Sequence, residues 1–162
     1  MLYIIISVLV VISDIITKRM AINGLLATDT MPIIKDVLHL TYVENRGMAF
    51  GMFDGGRMFF IMVTAAVLLV IAFILIKKSK TEKNVWQMMG FALVVGGAVG
   101  NLIDRVMRGF VVDFIDFRII NFPVFNVADI AVCVGSVLLV IYYLFKESKT
   151  GKKQSEGTNG RE

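Results

Sequence analysis

Long runs of apolar residues alternate with short polar segments along the chain. Four runs stand out, at about residues 2–18, 58–76, 85–105 and 127–145. At about 1.5 Å per residue, a helix of about 19 residues reaches roughly 28 Å, close to the thickness of a hydrocarbon core. The pattern therefore predicts four transmembrane helices. The first run is the shortest, and it spans only if its helix continues through Asp14 and Thr17.

The connections between these runs predict a small β-sheet. In the first long connection, Leu38, Leu40 and Tyr42 alternate with His39 and Thr41, and a period of two is typical of a strand. In the second, residues 109–115 are rich in β-branched and aromatic side chains, which also favours a strand. The predicted fold is a mainly α membrane protein with four transmembrane helices and a small sheet and loop region.

Basic residues indicate the orientation of the predicted spans. The link at 77–83 carries four bases and one acid, and the tail after Phe145 carries five bases and three acids. Because Lys- and Arg-rich loops stay in the cytoplasm, we expect both termini and this link inside, and the sheet on the outer face. The tail has no apolar residue from Ser148 onwards. We therefore expect a membrane domain over residues 1–145 and a disordered cytoplasmic tail over 146–162.

The composition agrees with this picture and excludes several classes of protein. Of the 162 residues, 57% are hydrophobic and 19% are charged, and the mean hydropathy is +0.77. Soluble domains average about 45–50% apolar, so an ordinary soluble domain, a disordered chain and a coiled coil are excluded. The segments expected in the cytoplasm carry +5 and the rest of the chain −1, so the formal charge of +4 does not indicate nucleic-acid binding. A single cysteine, Cys133, and a single histidine, His39, exclude an internal disulfide and a multi-histidine or cysteine-based metal site.

Two aspartates are the best candidates for chemistry. Asp113 follows the third apolar run and Asp129 opens the fourth, so both lie at the outer ends of their helices and can meet at one depth. When two carboxylates share a site, their pKa values separate, so that one keeps a proton and the other stays ionised. Aspartic peptide hydrolysis requires such a pair. The same two residues can equally form a cation or proton site.

Other residues near these aspartates favour structural roles. Asp14 and Lys18 are spaced i, i+4, in the order that stabilises an ion pair on one helix face. Gly96 and Gly100 form a GxxxG pattern, which lets helices approach closely. Arg105 is a fixed cation at the end of the third run, where it can brace a loop or neutralise an acid.

Five short motifs occur in order along residues 1–145. They are Asp14–Lys18, Glu44–Gly51, Gly97–Arg105, Val111–Phe114 and Phe125–Asp129. Together they resemble the lipoprotein signal peptidases, also called signal peptidase II. The resemblance implies an aspartic endopeptidase with Asp113 and Asp129 as catalytic residues, and with no metal and no cofactor. It implies removal of the signal peptide from diacylglyceryl-modified prolipoproteins by a cut before the lipidated cysteine.

The resemblance also assigns a second set of residues to binding the substrate or bracing the site. This set comprises Asp14, Lys18, Asn45, Gly47, Gly97, Asn101, Asp104, Arg105, Asn126 and Ala128. It implies an enzyme of the bacterial cytoplasmic membrane whose active site faces outward. The implied partners are lipidated prolipoproteins, membrane lipids and inhibitory cyclic peptides that resemble the substrate. No nucleic-acid partner is expected, and a monomer suffices for the mechanism.

Two other functions are compatible with the residues alone. One is a small ion or metabolite transporter that uses the intramembrane carboxylates. The other is a non-catalytic assembly factor held by the GxxxG face. Transporters often show internal repeats and broken helices near the midplane, whereas this sequence shows no repeat and its acidic residues cluster at the outer ends.

Overall fold

Four long helices and a three-stranded sheet form the computed structural model, which describes residues 2–28, 30–47, 56–77, 84–120 and 122–158, with side chains up to 146. The helices are α1 (Leu2–Leu25), α2 (Arg57–Lys77), α3 (Val85–Met107) and α4 (Val127–Thr158). The strands are β1 (Thr30–Ile34), β2 (Leu38–Asn45) and β3 (Val111–Phe117), and a 3-10 turn covers Arg118–Ile120. The four predicted helices and the two predicted strands are all present.

Three of the helices are long and apolar enough to cross a membrane. They are α2, α3 and the first 20 residues of α4. Large apolar side chains of α2 face outward, with Leu69 72% exposed and Ile76 83% exposed, as suits a surface in contact with lipid. α1 has 24 residues, but Asp14, Lys18 and Arg19 lie in its second half. The fourth span and the side of the membrane on which the sheet lies therefore stay predictions.

α3 is the central helix, and it packs against the other three. Glycines permit this close packing. A Cβ added at Gly97 would collide with the backbone oxygen of Ala128 in α4, and one at Gly100 would lie 2.6 Å from Oδ2 of Asp14 in α1. Gly96 also faces α1, where a Cβ would lie 2.8 Å from a side chain. The prediction that the GxxxG pattern forms a close helix contact is confirmed.

The sheet is antiparallel, has the order β1-β2-β3, and packs on the C-terminal end of α1. Ala21 and Leu25 of α1 are buried against Phe114 of β3. This apolar contact explains why α1 continues to Leu25, whereas the sequence predicts an end near residue 18. The sequence does not predict β1, because this edge strand contains Pro32 and its mostly exposed side chains follow no alternation.

The segment between β3 and α4 returns alongside β3. Phe125 forms an isolated antiparallel bridge with Ile115. The backbone N–H of Phe125 donates to the oxygen of Ile115 at 3.1 Å, and the N–H of Ile115 donates back at 2.8 Å. Because Asn126 and α4 follow directly, this bridge brings the start of α4 next to β3.

α4 continues to Thr158, well beyond the end near residue 145 that the sequence predicts. The backbone of most of the tail is thus helical, and its cytoplasmic location stays a prediction. The helix continues because an established helix extends by one hydrogen bond per residue without a new nucleus, and Lys, Glu and Gln tolerate helix well. Residues 78–83 of the basic link, residues 48–51 of the second motif and residues 159–162 lie outside the described residues.

Candidate active site

Asp113 and Asp129 meet at a single asparagine, Asn126. Asp113 lies in β3 and Asp129 lies in the first turn of α4. The side-chain amide of Asn126 donates to Oδ1 of Asp113 at 2.6 Å, and its backbone N–H donates to Oδ2 of Asp129 at 3.1 Å. The side-chain oxygen of Asn126 in turn accepts from the backbone N–H of Asp129 at 3.0 Å. One residue therefore sets the position of both carboxylates.

Each carboxylate accepts a further hydrogen bond from another asparagine amide. Nδ2 of Asn45 donates to Oδ2 of Asp113 at 2.8 Å, and Nδ2 of Asn101 donates to Oδ1 of Asp129 at 2.8 Å. The oxygen of Asn45 accepts from the backbone N–H of Gly47 at 3.1 Å, which fixes the direction of that amide. All four carboxylate oxygens therefore have a neutral donor, and each keeps a second lone pair for substrate, water or a proton.

The two carboxylates have different electrostatic surroundings. Asp113 is only 2% exposed. Burial, and after it the charge of Asp129, raise the pKa of Asp113 to about 7, against the lowering effect of the hydrogen bonds from Asn45 and Asn126. Asp129 lies in the first turn of α4, at the positive end of the helix dipole. The raised pKa favours the protonated form of Asp113 near neutral pH.

A buried ion-pair network centred on Lys18 supports Asn101. The ammonium of Lys18 lies 2.7 Å from Oδ2 of Asp14 and 3.1 Å from Oδ2 of Asp104. It also donates to Oδ1 of Asn101 at 2.9 Å. Because Lys18 holds the oxygen of this amide, the amide nitrogen is free to face Asp129. Lys18 is 2% exposed and Asp14 is 0% exposed, so the network is closed to solvent.

The two acids of this network also hold the backbone on both sides of the pair. Oδ1 of Asp14 accepts from the backbone N–H of Ala128 at 3.0 Å. Oδ2 of Asp104 accepts from the backbone N–H of Val112 at 3.2 Å. Ala128 and Val112 each directly precede one of the two candidate catalytic aspartates. The network therefore anchors α4 directly beside Asp129 and β3 directly beside Asp113.

A cavity of about 400 Å³ opens onto the two carboxylates. Its predicted lining residues are Asn45, Gly47, Arg105, Asp113 and Asp129. The sequence does not single out its other lining residues, which are Phe60, Phe122, Pro123, Val124 and Phe125. An apolar wall with a few convergent polar groups is typical of a ligand site. The aromatic residues carry no motif of their own, and only the fold shows that they face the cavity.

The remaining predicted site residues lie behind this cavity. Asn101 and Asn126 hold the carboxylates, and Gly97 lies at the contact between α3 and α4. Asp14 and Lys18 are too deeply buried to touch a substrate. Of the two expected roles, binding the substrate and bracing the site, their burial favours bracing the site. Asp104 and Ala128 belong to the same buried layer.

Comparison with known proteins gives consistent results along most of the chain. Residues 6–145 match the family described as signal peptidase (SPase) II. A lipoprotein signal peptidase of Clostridioides difficile (strain 630) is 48% identical over 150 residues, which cover 93% of this chain and 99% of that protein. One from Halothermothrix orenii is 44% identical over 151 residues, with the same coverage. One from Enterococcus faecalis is 38% identical and covers 97% of this chain and 96% of that protein.

The fold is similar to solved structures as well. One is a bacterial membrane enzyme determined by the in meso method at 2.3 Å resolution, with a TM-score of 0.79 and 36% identity. The superposition covers 91% of this chain and 90% of that one. A second such enzyme, at 1.9 Å resolution, gives a TM-score of 0.74 at 36% identity and covers 88% of this chain and 92% of that one.

Proposed function

The chain belongs to the signal peptidase II family, and from this premise we propose that it is an aspartic endopeptidase with Asp113 and Asp129 as its catalytic pair. It removes signal peptides in the maturation of lipoproteins. The observation that carries the catalytic assignment is Asn126, which binds Asp113 through its side chain and Asp129 through its backbone. The transporter alternative has no support among the relatives.

In the proposed reaction, Asp129 acts as the base and Asp113 as the acid. The Asp129 carboxylate takes a proton from water, and the water oxygen attacks the scissile carbonyl carbon. Protonated Asp113 gives its proton to the carbonyl oxygen, so a neutral tetrahedral intermediate forms. The intermediate collapses when the C–N bond breaks: Asp129 protonates the leaving amine, and a hydroxyl of the intermediate returns a proton to Asp113. Both carboxyls end in their starting states.

The proposed substrate is a diacylglyceryl-modified prolipoprotein, cut before the lipidated cysteine. Phe60, Phe122 and Phe125 give the cavity an apolar wall, which fits an apolar peptide segment beside a lipid anchor. The outward apolar faces of the helices allow acyl chains to stay in the bilayer. A cyclic peptide that resembles this segment would occupy the same cavity. All of the contacts that build the site come from one chain, so a monomer suffices.

We further propose that α1 is the fourth span and that both termini lie in the cytoplasm. The Asp14–Lys18 pair is turned towards α3 and α4, so it need not meet lipid. An even number of spans places the basic link and the basic tail on the same side, as the positive-inside rule requires. The catalytic pair then faces the outside of the bacterial cytoplasmic membrane.

The proposed function is tested with purified protein in detergent and one prolipoprotein prepared with and without its diacylglyceryl group. We expect cleavage of the lipidated form alone, at the bond before the modified cysteine, and the same rate in the presence of EDTA. A folded protein that leaves the lipidated form intact would refute the proposal. Inhibition by EDTA would refute the metal-free mechanism.

Activity is expected to fall as the pH rises through about 7, because Asp113 then loses the proton that the carbonyl oxygen needs. Above that pH, kcat/KM should fall about tenfold per pH unit. Stability should fall at lower pH than activity does, between about pH 4 and pH 7, and then level off. Since the pKa of Asp113 lies above its ordinary value of 3.8, the folded chain binds more protons than the unfolded chain from there to about pH 7. Parallel profiles of kcat/KM and thermal midpoint measure both effects, and constant activity into the alkaline range contradicts the assignment.

A further inference from the structure

Arg57, the first residue of α2, holds the last turn of α3. Its Nε donates to the backbone oxygen of Arg105 at 2.8 Å, and its Nη2 donates to the backbone oxygen of Val106 at 2.8 Å. These carbonyls lie at the C-terminal end of α3, where the helix leaves its last oxygens without partners and where a cation is favourable. A guanidinium that donates two bonds at once also fixes orientation, which one ammonium does not.

Phe60 continues the same face of α2 one turn later. It is three residues from Arg57, so the two side chains are neighbours on the helix surface. Phe60 is 8% exposed, and its ring centroid lies 5.2 Å from the guanidinium carbon of Arg105. A guanidinium over an aromatic ring is attracted to its face. One turn of α2 therefore contacts Arg105 twice, at its backbone through Arg57 and at its side chain through Phe60.

Arg105 is the charged group whose position matters most to the proposed site. It lines the cavity together with both carboxylates. Its own hydrogen bond to the backbone oxygen of Asn101 is long, at 3.5 Å. The location of the Arg105 guanidinium therefore depends on the contacts that Arg57 and Phe60 of α2 make with Arg105.

We propose that Arg57 and Phe60 are positioning residues, which hold the guanidinium of Arg105 in the cavity beside the two carboxylates. This inference rests on the proposed function, because it assigns a role within that site. A cation in this position favours the state with one charge on the pair and stabilises negative charge that develops on the substrate oxygen. Arg57 does not line the cavity and acts through Arg105, whereas Phe60 both contacts Arg105 and forms part of the cavity wall.

The test compares kcat, KM and the pH profile of purified Arg57→Gln and Phe60→Leu with those of the unaltered enzyme. For Arg57→Gln we expect kcat to fall roughly tenfold with little change in KM, because a displaced group costs transition-state stabilisation. Phe60→Leu should lower kcat in the same way and should also raise KM, since Phe60 is part of the cavity wall. We expect the pH profile of activity to move to higher pH by about half a unit, because a positive charge no longer lies beside the two carboxylates. Arg57→Lys should recover part of kcat, since one donor remains. Phe73→Leu, farther along α2, is the matched control and should change neither value.

Combination with Arg105→Gln separates positioning from general stability. If Arg57 acts through the Arg105 side chain, then Arg57→Gln should cause no further loss of kcat in the Arg105→Gln enzyme. A full additional loss in that background, or an unchanged pH profile in the single variants, overturns the inference. Asp113→Asn is measured alongside. If it stays active, the proposed function has failed; if it is inactive while Arg57→Gln and Phe60→Leu behave as the unaltered enzyme, only the inference has failed.

Discussion

Replacement of Asp113 or Asp129 by asparagine is expected to lower kcat by about a thousandfold or more. Asparagine preserves the size of the side chain, so the cavity keeps its shape. It can neither protonate the carbonyl oxygen, as Asp113 does in the proposed reaction, nor take a proton from water, as Asp129 does. The measurement is cleavage of a lipidated prolipoprotein by each purified variant, with rates normalised to the folded fraction.

Asp116 provides the matched control for this experiment. It lies on the same strand as Asp113, but its Oδ2 accepts from Thr41 at 2.7 Å and from Arg118 at 2.9 Å, away from the cavity. Asp116→Asn should therefore keep kcat within about twofold. The Asp113→Asn, Asp129→Asn double variant should be no slower than the slower single variant, because the pair acts as a unit. Activity near that of the unaltered enzyme in either single variant contradicts the assignment.

Replacement of Lys18 by methionine is expected to destabilise the protein by about 3–5 kcal/mol. Methionine fills a similar volume without the charge. The carboxylates of Asp14 and Asp104 would then stay buried without the cation that lies 2.7 Å and 3.1 Å from them. Asn101 would also lose the donor that orients its amide. Thermal or denaturant unfolding in detergent measures the loss.

The neighbouring residue and the partner acid supply the controls for the Lys18 variant. Arg19 is exposed, so Arg19→Met should leave the free energy of unfolding within about 0.5 kcal/mol of the unaltered protein. Asp14→Asn added to Lys18→Met should recover part of the loss, because it removes the carboxylate left without a cation, whereas Asp104 keeps its ion pair with Arg108. If Lys18→Met unfolds at the same midpoint as Arg19→Met, the ion-pair network does not contribute as its geometry indicates.

The sequence predicts most of the fold because its main signals are local. Apolar runs mark the four helices, and alternation at Leu38–Tyr42 marks β2. The errors occur where tertiary contacts decide. α1 extends to Leu25 because its last turn packs on Phe114, a contact that no pattern within the helix reveals. β1 pairs along β2 through its backbone, so its side chains need no alternation.

The candidate site is only partly predictable for the same reason. Topology alone brings Asp113 and Asp129 to one end of the helices, and the i, i+4 spacing gives the pair of Asp14 and Lys18. The link from Lys18 to Asp104 is not local and follows only from helix packing. The position of Asn126 depends on the backbone bridge between Phe125 and its partner in β3, which is invisible in the sequence. The aromatic wall of the cavity likewise depends on tertiary contacts that the sequence does not reveal.

The hydrogen bond from the backbone of Ala128 to Asp14 joins residues 114 positions apart. A ribosome adds the first of these residues early and the second near the end of synthesis. Until α4 has docked against the other helices, Asp14 lacks this donor, Asp113 lacks Asn126, and Asp129 lacks the amide of Asn101. The nascent chain therefore carries no assembled form of the proposed catalytic pair before α4 docks. On the proposed assignment, proteolytic activity depends on the docking of the last helix, which completes the contacts of both aspartates.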